Sequence, residues 1–416
     1  MPAFSPLTPL LRSLPAVLAL VALCAGCTSR TPDDPRRAVL ENYADIVLAT
    51  YEDSLSAARE LQQAIEALLA DPSETTLEAA RASWRAARIP YSASEAFRFY
   101  GGPIDAEDGP EPRLNGWPLD ENHIDAVAET YNAAPGIDII GSPDAFPEIT
   151  PELIAEQNEA GGEKNIASGW HAIEFLLWGQ DTNDPPDAPG RRPYTDFIPD
   201  GDPATDRAAR RGQYLRAATT LLISDLESLV DAWRKLDVHD ADGDGEPDNY
   251  RATFVSGDVY TGLKRMFTGI AALSEVEMAG ERMEVPLLSG DQEEEQNCFS
   301  DTTIEDLRAN AAGIEHVYFG RYTRLDGSVV EGPSLAQLVR EADPRVADEM
   351  QARMARVREA LAAIQSPFDL EIQPDNEAGR ARVRAAIDAL RAQSLSMFRA
   401  AEAMQIFLSD LEGLGD

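Results

Sequence analysis

The chain of 416 residues is short of most residue types that build catalytic or stapled sites. It has three cysteines and four histidines, and its basic side chains are arginines apart from Lys164, Lys235 and Lys264. Positive charge is scarce overall: 36 Lys plus Arg face 73 Asp plus Glu, a formal net charge of −37. That balance argues against nucleic acid, whose phosphates need a basic face to release counterions. It equally disfavours adsorption to anionic lipid headgroups. With so few histidines there is no HExxH motif and no inverse of it, which removes the usual zinc-peptidase arrangement. Alternating strand patterns are nearly absent, as are apolar runs of about 18 residues or more. Hydrophobic residues still make up 44% of the chain, enough for a core.

The first residues read as an address. Arg12 is the lone charge ahead of the apolar run AVLALVALCAG at 16–26, which ends in small residues at Cys27. The run is too short to span a bilayer and has the layout of a secretory signal. Its ending, LCAGC, resembles a bacterial lipoprotein signal in which Cys27 becomes the acylated first residue, although Cys24 stands where Leu or Val is usual. Residues 28–37, polar and containing proline, then form a tether. Removal of Cys24 and acylation of Cys27 leave Cys298 as the single thiol, so the mature body has no internal disulfide. Glu293, Glu294, Glu295 and Asp301 around Cys298 oppose its ionisation, which argues against cysteine catalysis. Asp301, ahead of Thr302 and Thr303, fits a helix N-cap.

Helical periodicity covers most of the rest. A segment without Gly or Pro runs from 39 to 70, and the pattern Thr75-x-x-Glu78 suggests a capping box opening a second helix to about Phe99. Residues 205–236 carry Tyr214, Ala218, Leu222, Leu226, Leu229 and Trp233 on one stripe. Segments 255–284, 303–318, 343–365 and 376–411 behave alike, and Tyr322 to Val330 could form a small hairpin around Asp326-Gly327. The expected fold is all-α: two helical-bundle halves, 38–200 and 201–416, with a cleft between them and a boundary in the Gly/Pro/Asp-rich loop 181–206.

Three places could hold chemistry. In GWHAIE at 169–174, His171 and Glu174 lie three apart and project from one helical face, as a metal-binding or acid/base pair would. Gly169 there permits a close backbone approach. On the helix 75–99, Trp84, Arg88, Tyr91, Glu95 and Arg98 share one stripe. That stripe either faces solvent or lines an inter-helix cleft. In a cleft Glu95 could complete a metal site, and Arg88 or Arg98 could pair with an anion. The third is DADGDGEPD at 240–248. Asp240, Asp242, Asp244, the Glu246 carbonyl and Asp248 take the positions of an EF-hand-type calcium loop, but Arg251 stands where the closing Glu belongs.

Several longer segments carry a family likeness. RLNGWPLDENHID at 113–125, GWHAIEFLLWGQD at 169–181, AALSEVEMAGERM at 271–283 and DQEEEQNCFSDTT at 291–303 resemble, in order, segments of the imelysin-like proteins, nearest to the iron-regulated protein A branch. The resemblance implies a two-domain helical protein of the bacterial cell envelope, made in connection with iron supply. It places a Gly-x-His-x-x-Glu signature on Gly169, His171 and Glu174, in a cleft between the halves, with metal binding proposed for it. Relatives include an insulin-cleaving protease and periplasmic components of ferrous-iron uptake. Ile304 follows CFSDTT where the branch commonly has His, and the acidic loop 240–248 looks like an addition.

Three functions stay open at this level. The first is a periplasm-facing lipoprotein, placed at the outer membrane by Thr28 after the acylated cysteine, that captures iron or another transition metal as ion or chelate and serves an envelope iron-transport partner. The second is a metallopeptidase, for which one His and one Glu are few ligands. The third is an envelope scaffold or partner-binding protein without catalysis. Contact with a membrane is expected through the lipid anchor alone.

Overall fold

The computed structural model describes residues 34–127, 138–237, 247–411 and 413. From Pro35 onward the chain forms one compact unit. It begins with α1 (Pro35–Ala70), which ends at Asp71-Pro72 as its lack of internal breakers predicts, and α2 (Glu74–Ser94). The N-cap of α2 is Ser73, which forms a capping box with Thr76 rather than the Thr75–Glu78 pair expected from sequence. Ser73 wins because its hydroxyl follows the α1 break directly and receives the Thr76 N–H. A single 3₁₀ turn, Glu95–Phe97, extends this stripe.

Short helices follow: α3 (Glu111–Asn115), α4 (Glu121–Ile124) and α5 (Pro151–Gln157). Then come the motif helix α6 (Gly169–Trp178) and the long α7 (Arg207–Trp233). The stretch expected as one helix over 255–284 is divided. It becomes α8 (Tyr250–Ser256), α9 (Val259–Ala272) and a π-helical run, Leu273–Glu284, that leads into α10 (Val285–Ser289). Gly257-Asp258 interrupts it, and Asp258 caps α9 by accepting the Thr261 N–H.

The chain continues through α11 (Thr303–Phe319) into the antiparallel hairpin β1 (Arg321–Thr323) and β2 (Val329–Glu331), where Tyr322 pairs with Val330. It closes with α12 (Leu335–Ala342), α13 (Pro344–Ala363), α14 (Phe368–Ile372) and α15 (Glu377–Ala403). The all-α expectation holds. Helix α1 lies against both α2 and α7, and α2 also packs on α11. No helix among the described residues is long and apolar enough to cross a membrane.

The core is aromatic at its centre: Trp84, Trp170, Trp178 and Trp233 are all essentially inaccessible. Close helix packing needs small residues, and at Gly313 of α11 an added Cβ would lie 2.1 Å from the Ala93 carbonyl of α2. The hairpin is pinned to α1 by polar bonds. The Tyr322 hydroxyl donates to Asp53 Oδ2 at 2.8 Å, and Arg324 donates to Asp53 Oδ1 at 2.8 Å. His316, in the last turn of α11, sets its ring against Tyr322 with centroids 5.1 Å apart, and burial pushes its pKa down to about 4.

This histidine is neutral in the native state but protonates below its ordinary value of 6.5 when unfolded. Its contribution to stability is therefore complete above pH 6.5 and is lost as pH falls from 6.5 towards 4. His316→Phe is expected to gain on the wild type through that window, by at most about 1.4 kcal/mol per pH unit. Urea unfolding of both proteins at pH 7 and pH 5 measures this; an unchanged difference between them would count against it.

Candidate functional site

The motif helix is fixed at both ends before any of its side chains act. At its start, Asn158 Oδ1 accepts the N–H groups of Ala167 and Ser168, and the Tyr214 hydroxyl donates to the Ala167 carbonyl at 2.6 Å. Gly169 has φ +79, and a Cβ there would come within 2.3 Å of the Leu114 carbonyl oxygen, so backbone approach and conformation both call for glycine. At its end, Arg81 donates from Nε and Nη2 to the Leu177 carbonyl, satisfying an otherwise open helix terminus.

Within this frame His171 and Glu174 are both fully buried. His171 Nδ1 lies 3.0 Å from Glu174 Oε2. The other oxygen, Glu174 Oε1, accepts from the Ser300 N–H at 3.0 Å and from its hydroxyl at 2.6 Å. Thr302 Oγ1 stands 2.8 Å from that hydroxyl. His171 Nε2 is buried and has no hydrogen-bond partner. Trp117 covers the ring with centroids 5.0 Å apart. Burial, together with the positive charges of Arg88 and Arg282, holds the imidazole pKa well below its ordinary value. Burial raises Glu174 to about 8 in spite of the Ser300 bond and the Arg88 charge, so the pair is neutral at neutral pH.

The stripe on α2 faces inward: Trp84, Arg88, Tyr91, Glu95 and Arg98 are all buried. It forms an ion-pair lattice rather than a ligand set. Arg88 Nε donates to Asp306 Oδ2 at 3.0 Å, and its Nη1 donates to Asn115 Oδ1 at 2.6 Å. Glu95 Oε2 accepts from Arg98 at 3.0 Å and from Arg282 at 2.6 Å, while Asn115 donates to Oε1 at 3.4 Å. Burial opposes its ionisation, but Arg282 and Arg98 overcome this and hold Glu95 below its ordinary value. This corrects the expectation that Glu95 joins His171 and Glu174 as a ligand, because two guanidinium groups hold its Oε2 and the Asn115 amide bonds to its Oε1. Arg98 also pairs with Glu111 at 3.2 Å, so it is not waiting for an exogenous anion. Tyr91 packs on Trp170 with centroids 5.4 Å apart.

Glu277 and Arg282, which pair at 2.7 Å, come from the π-helical run. They were not foreseen; the AALSEVEMAGERM segment pointed to that region without assigning either residue. With Asn115, Trp117 and Gln296 they border a pocket of about 120 Å³. Cys298 is buried, and burial followed by Glu293 and Glu174 raises its thiol well above the ordinary value. Asp301 is not the N-cap of α11. That position belongs to Thr302, and Asp301 takes φ +56 one residue earlier. Its side chain joins Asp181 and Asp369, with one carboxylate oxygen from each lying within 4.8 Å of the others.

Of the calcium-loop residues, Asp240, Asp242, Asp244 and Glu246 lie outside the described residues, as does Cys27; Asp248 is described. Arg251, which stands in the closing position, is buried and pairs with Asp45 of α1.

The imelysin peptidase family model matches residues 47–397. The chain belongs to the imelysin family. Among its relatives, iron-regulated protein A of Synechococcus elongatus is 27% identical over 343 residues, spanning 80% of this chain and 77% of that protein. A crystal structure described as an iron-regulated protein A precursor from Parabacteroides distasonis superposes with a TM-score of 0.67. It shares 21% identity and covers 89% of this chain and 95% of that one, which makes the all-α architecture common to both.

Because Glu174 satisfies three donors or donor/acceptor atoms at once, its loss should be felt as stability. Glu174→Ala leaves buried Ser300 and His171 groups without a partner and should cost about 2–4 kcal/mol. Glu174→Gln keeps one acceptor oxygen and should cost less than half of that. Guanidinium unfolding tests the order, and equal losses in the two variants would contradict the bonding described.

Proposed function

We propose that this imelysin-family protein is an envelope lipoprotein that binds a metal ion, iron in the first place, through His171. The observation that carries the reading is the buried, unpartnered Nε2 of an imidazole whose Nδ1 is fixed by a carboxyl group. That is the arrangement by which proteins orient a metal-binding histidine, with the carboxylate acting from the outer shell. In this reading Glu174 does not ligate beside His171. It selects the ring orientation and the tautomer.

The fit of a cation follows from the charges around the ring. Arg88, Arg98 and Arg282 are paired with Asp306, Glu95, Glu111 and Glu277, which offsets part of the positive charge that Arg88 and Arg282 place near the ring. Cation binding at Nε2 requires the Nδ1–H tautomer facing an ionised Glu174, so a proton leaves the neutral pair on binding. A pocket of about 120 Å³ is bordered by Trp117, whose ring packs on that of His171, although His171 is not itself in its lining; its size suits an ion with a few waters rather than a bulky chelate. The names of the relatives support iron as the first metal to test. The leader ending at Cys27 supports lipid anchoring in the envelope, and delivery to an envelope iron-transport partner is proposed with it; calcium in the 240–248 loop is a separate proposal from its spacing.

Peptidase chemistry ranks second. It needs a metal with an open position and a base free to activate water. Both Glu174 oxygens are already engaged, by His171 and by Ser300.

Mature protein purified without an affinity tag should bind iron or zinc, and His171→Ala should abolish that binding. Glu174→Gln should weaken it by about 10–100-fold, the usual effect of an outer-shell partner. Isothermal titration with metal content by mass spectrometry provides the check. Unchanged metal content in His171→Ala would reject the site, and chelator-sensitive cleavage of an unstructured peptide, lost in the same variant, would promote the peptidase reading.

A further inference from the structure

A second set of acidic side chains lies apart from the His171 ring, where three distant segments meet. Asp181 follows α6 directly, Asp301 precedes α11, and Asp369 belongs to α14. Asp181 and Asp369 are fully buried and Asp301 is 9% exposed, yet one oxygen of each lies within 4.8 Å of the others. Carboxylates crowded so closely away from water repel one another unless protons or a cation intervene.

A separate observation points to a ligand. Glu295, outside that trio and 0% exposed, has no basic side chain paired with either carboxylate oxygen; its polar neighbours are the Thr303 hydroxyl and the carboxyl group of Asp369. The oxygens of Asp369 likewise meet no basic side chain and face the carboxyl groups of Glu295 and Asp301. Structural acids buried this deeply are ordinarily paired with arginine, as Glu95 and Asp306 are in this protein. Access exists as well, since Asp301 lines an open cleft of about 600 Å³ together with Ser300 and Thr302.

We propose that Asp181, Asp301, Asp369 and Glu295 form a binding site for a hard divalent cation of the calcium or magnesium class. Oxygen-only donors suit these ions and disfavour soft metals. The cation joins the end of α6, the segment before α11 and α14 at one point. Asp301 is the neighbour of Ser300, which holds Glu174, so occupancy of this site steadies the clamp on the His171 ring. The site stands on its own carboxylates and does not depend on metal binding at His171.

The test uses chelator-treated full-length mature protein titrated with calcium and, separately, magnesium up to about 1 mM, the range of weak extracellular sites. Binding is followed by calorimetry and by melting temperature. The wild type should bind one of the two ions and melt higher with it. Asp369→Asn should weaken that binding by about tenfold or more. Without added cation it should melt no lower than the wild type, because one of the crowded charges is gone. Asp301→Asn, whose φ of +56 an asparagine tolerates, should behave alike. His171→Ala should keep the response, which separates this site from the reading above, and Asp242→Asn should keep it too, which separates it from the 240–248 loop. No binding by the wild type, or undiminished binding by both Asp369→Asn and Asp301→Asn, would overturn the proposal.

Discussion

The carboxyl group of Glu174 is the point on which the central architecture depends. It is wholly buried and bonded on one side to His171 within its own helix and on the other to Ser300, 126 residues away in sequence. That bond ties α6 to the segment leading into α11, and α11 packs in turn on α2. A carboxyl group in such surroundings is costly to ionise, and burial lifts it to about 8. The fold tolerates the cost because both oxygens of the group are hydrogen-bonded. What remains unused is the far nitrogen of the imidazole.

Around this point the protein keeps charge in the interior only where it is matched. Arg88 meets Asp306, Arg98 meets Glu95 and Glu111, and Arg282 meets Glu95 and Glu277. Buried ion pairs of this kind add little net stability, but removing one partner is severe because the other charge is stranded. The lattice is therefore better understood as a device that fixes the relative placement of α2, α3, α11 and the π-helical run. Against this background Asp181, Asp301, Asp369 and Glu295 stand out among the described residues as a gathering of buried carboxyl groups.

Much of the fold was legible because helix periodicity, breakers and apolar stripes are local. The break at Asp71-Pro72, the bounds of α6, the hairpin around Asp326-Gly327 and the stripe on α7 follow from residues close in sequence. The His171–Glu174 pair was legible for the same reason, since a spacing of three on a helix brings two side chains together. Glu95 was misjudged because a polar stripe shows that partners are needed without showing which, and Arg282 arrives from 187 residues away. Asp301 was misjudged because Asp before Thr-Thr suits an N-cap, whereas the chain places Thr302 there and turns Asp301 through a positive φ. The acidic cluster was invisible for a simpler reason: tertiary packing alone assembles residues 181, 295, 301 and 369.

The central claim is that His171 presents Nε2 to a metal while Glu174 serves from behind. Anomalous diffraction from crystals of the mature protein loaded with iron or zinc tests it most directly. The account predicts an anomalous peak within about 2.0–2.2 Å of His171 Nε2, with the Nδ1–Glu174 bond intact. A peak coordinated by the Glu174 oxygens instead, or a loaded crystal with no peak at the imidazole, would contradict it.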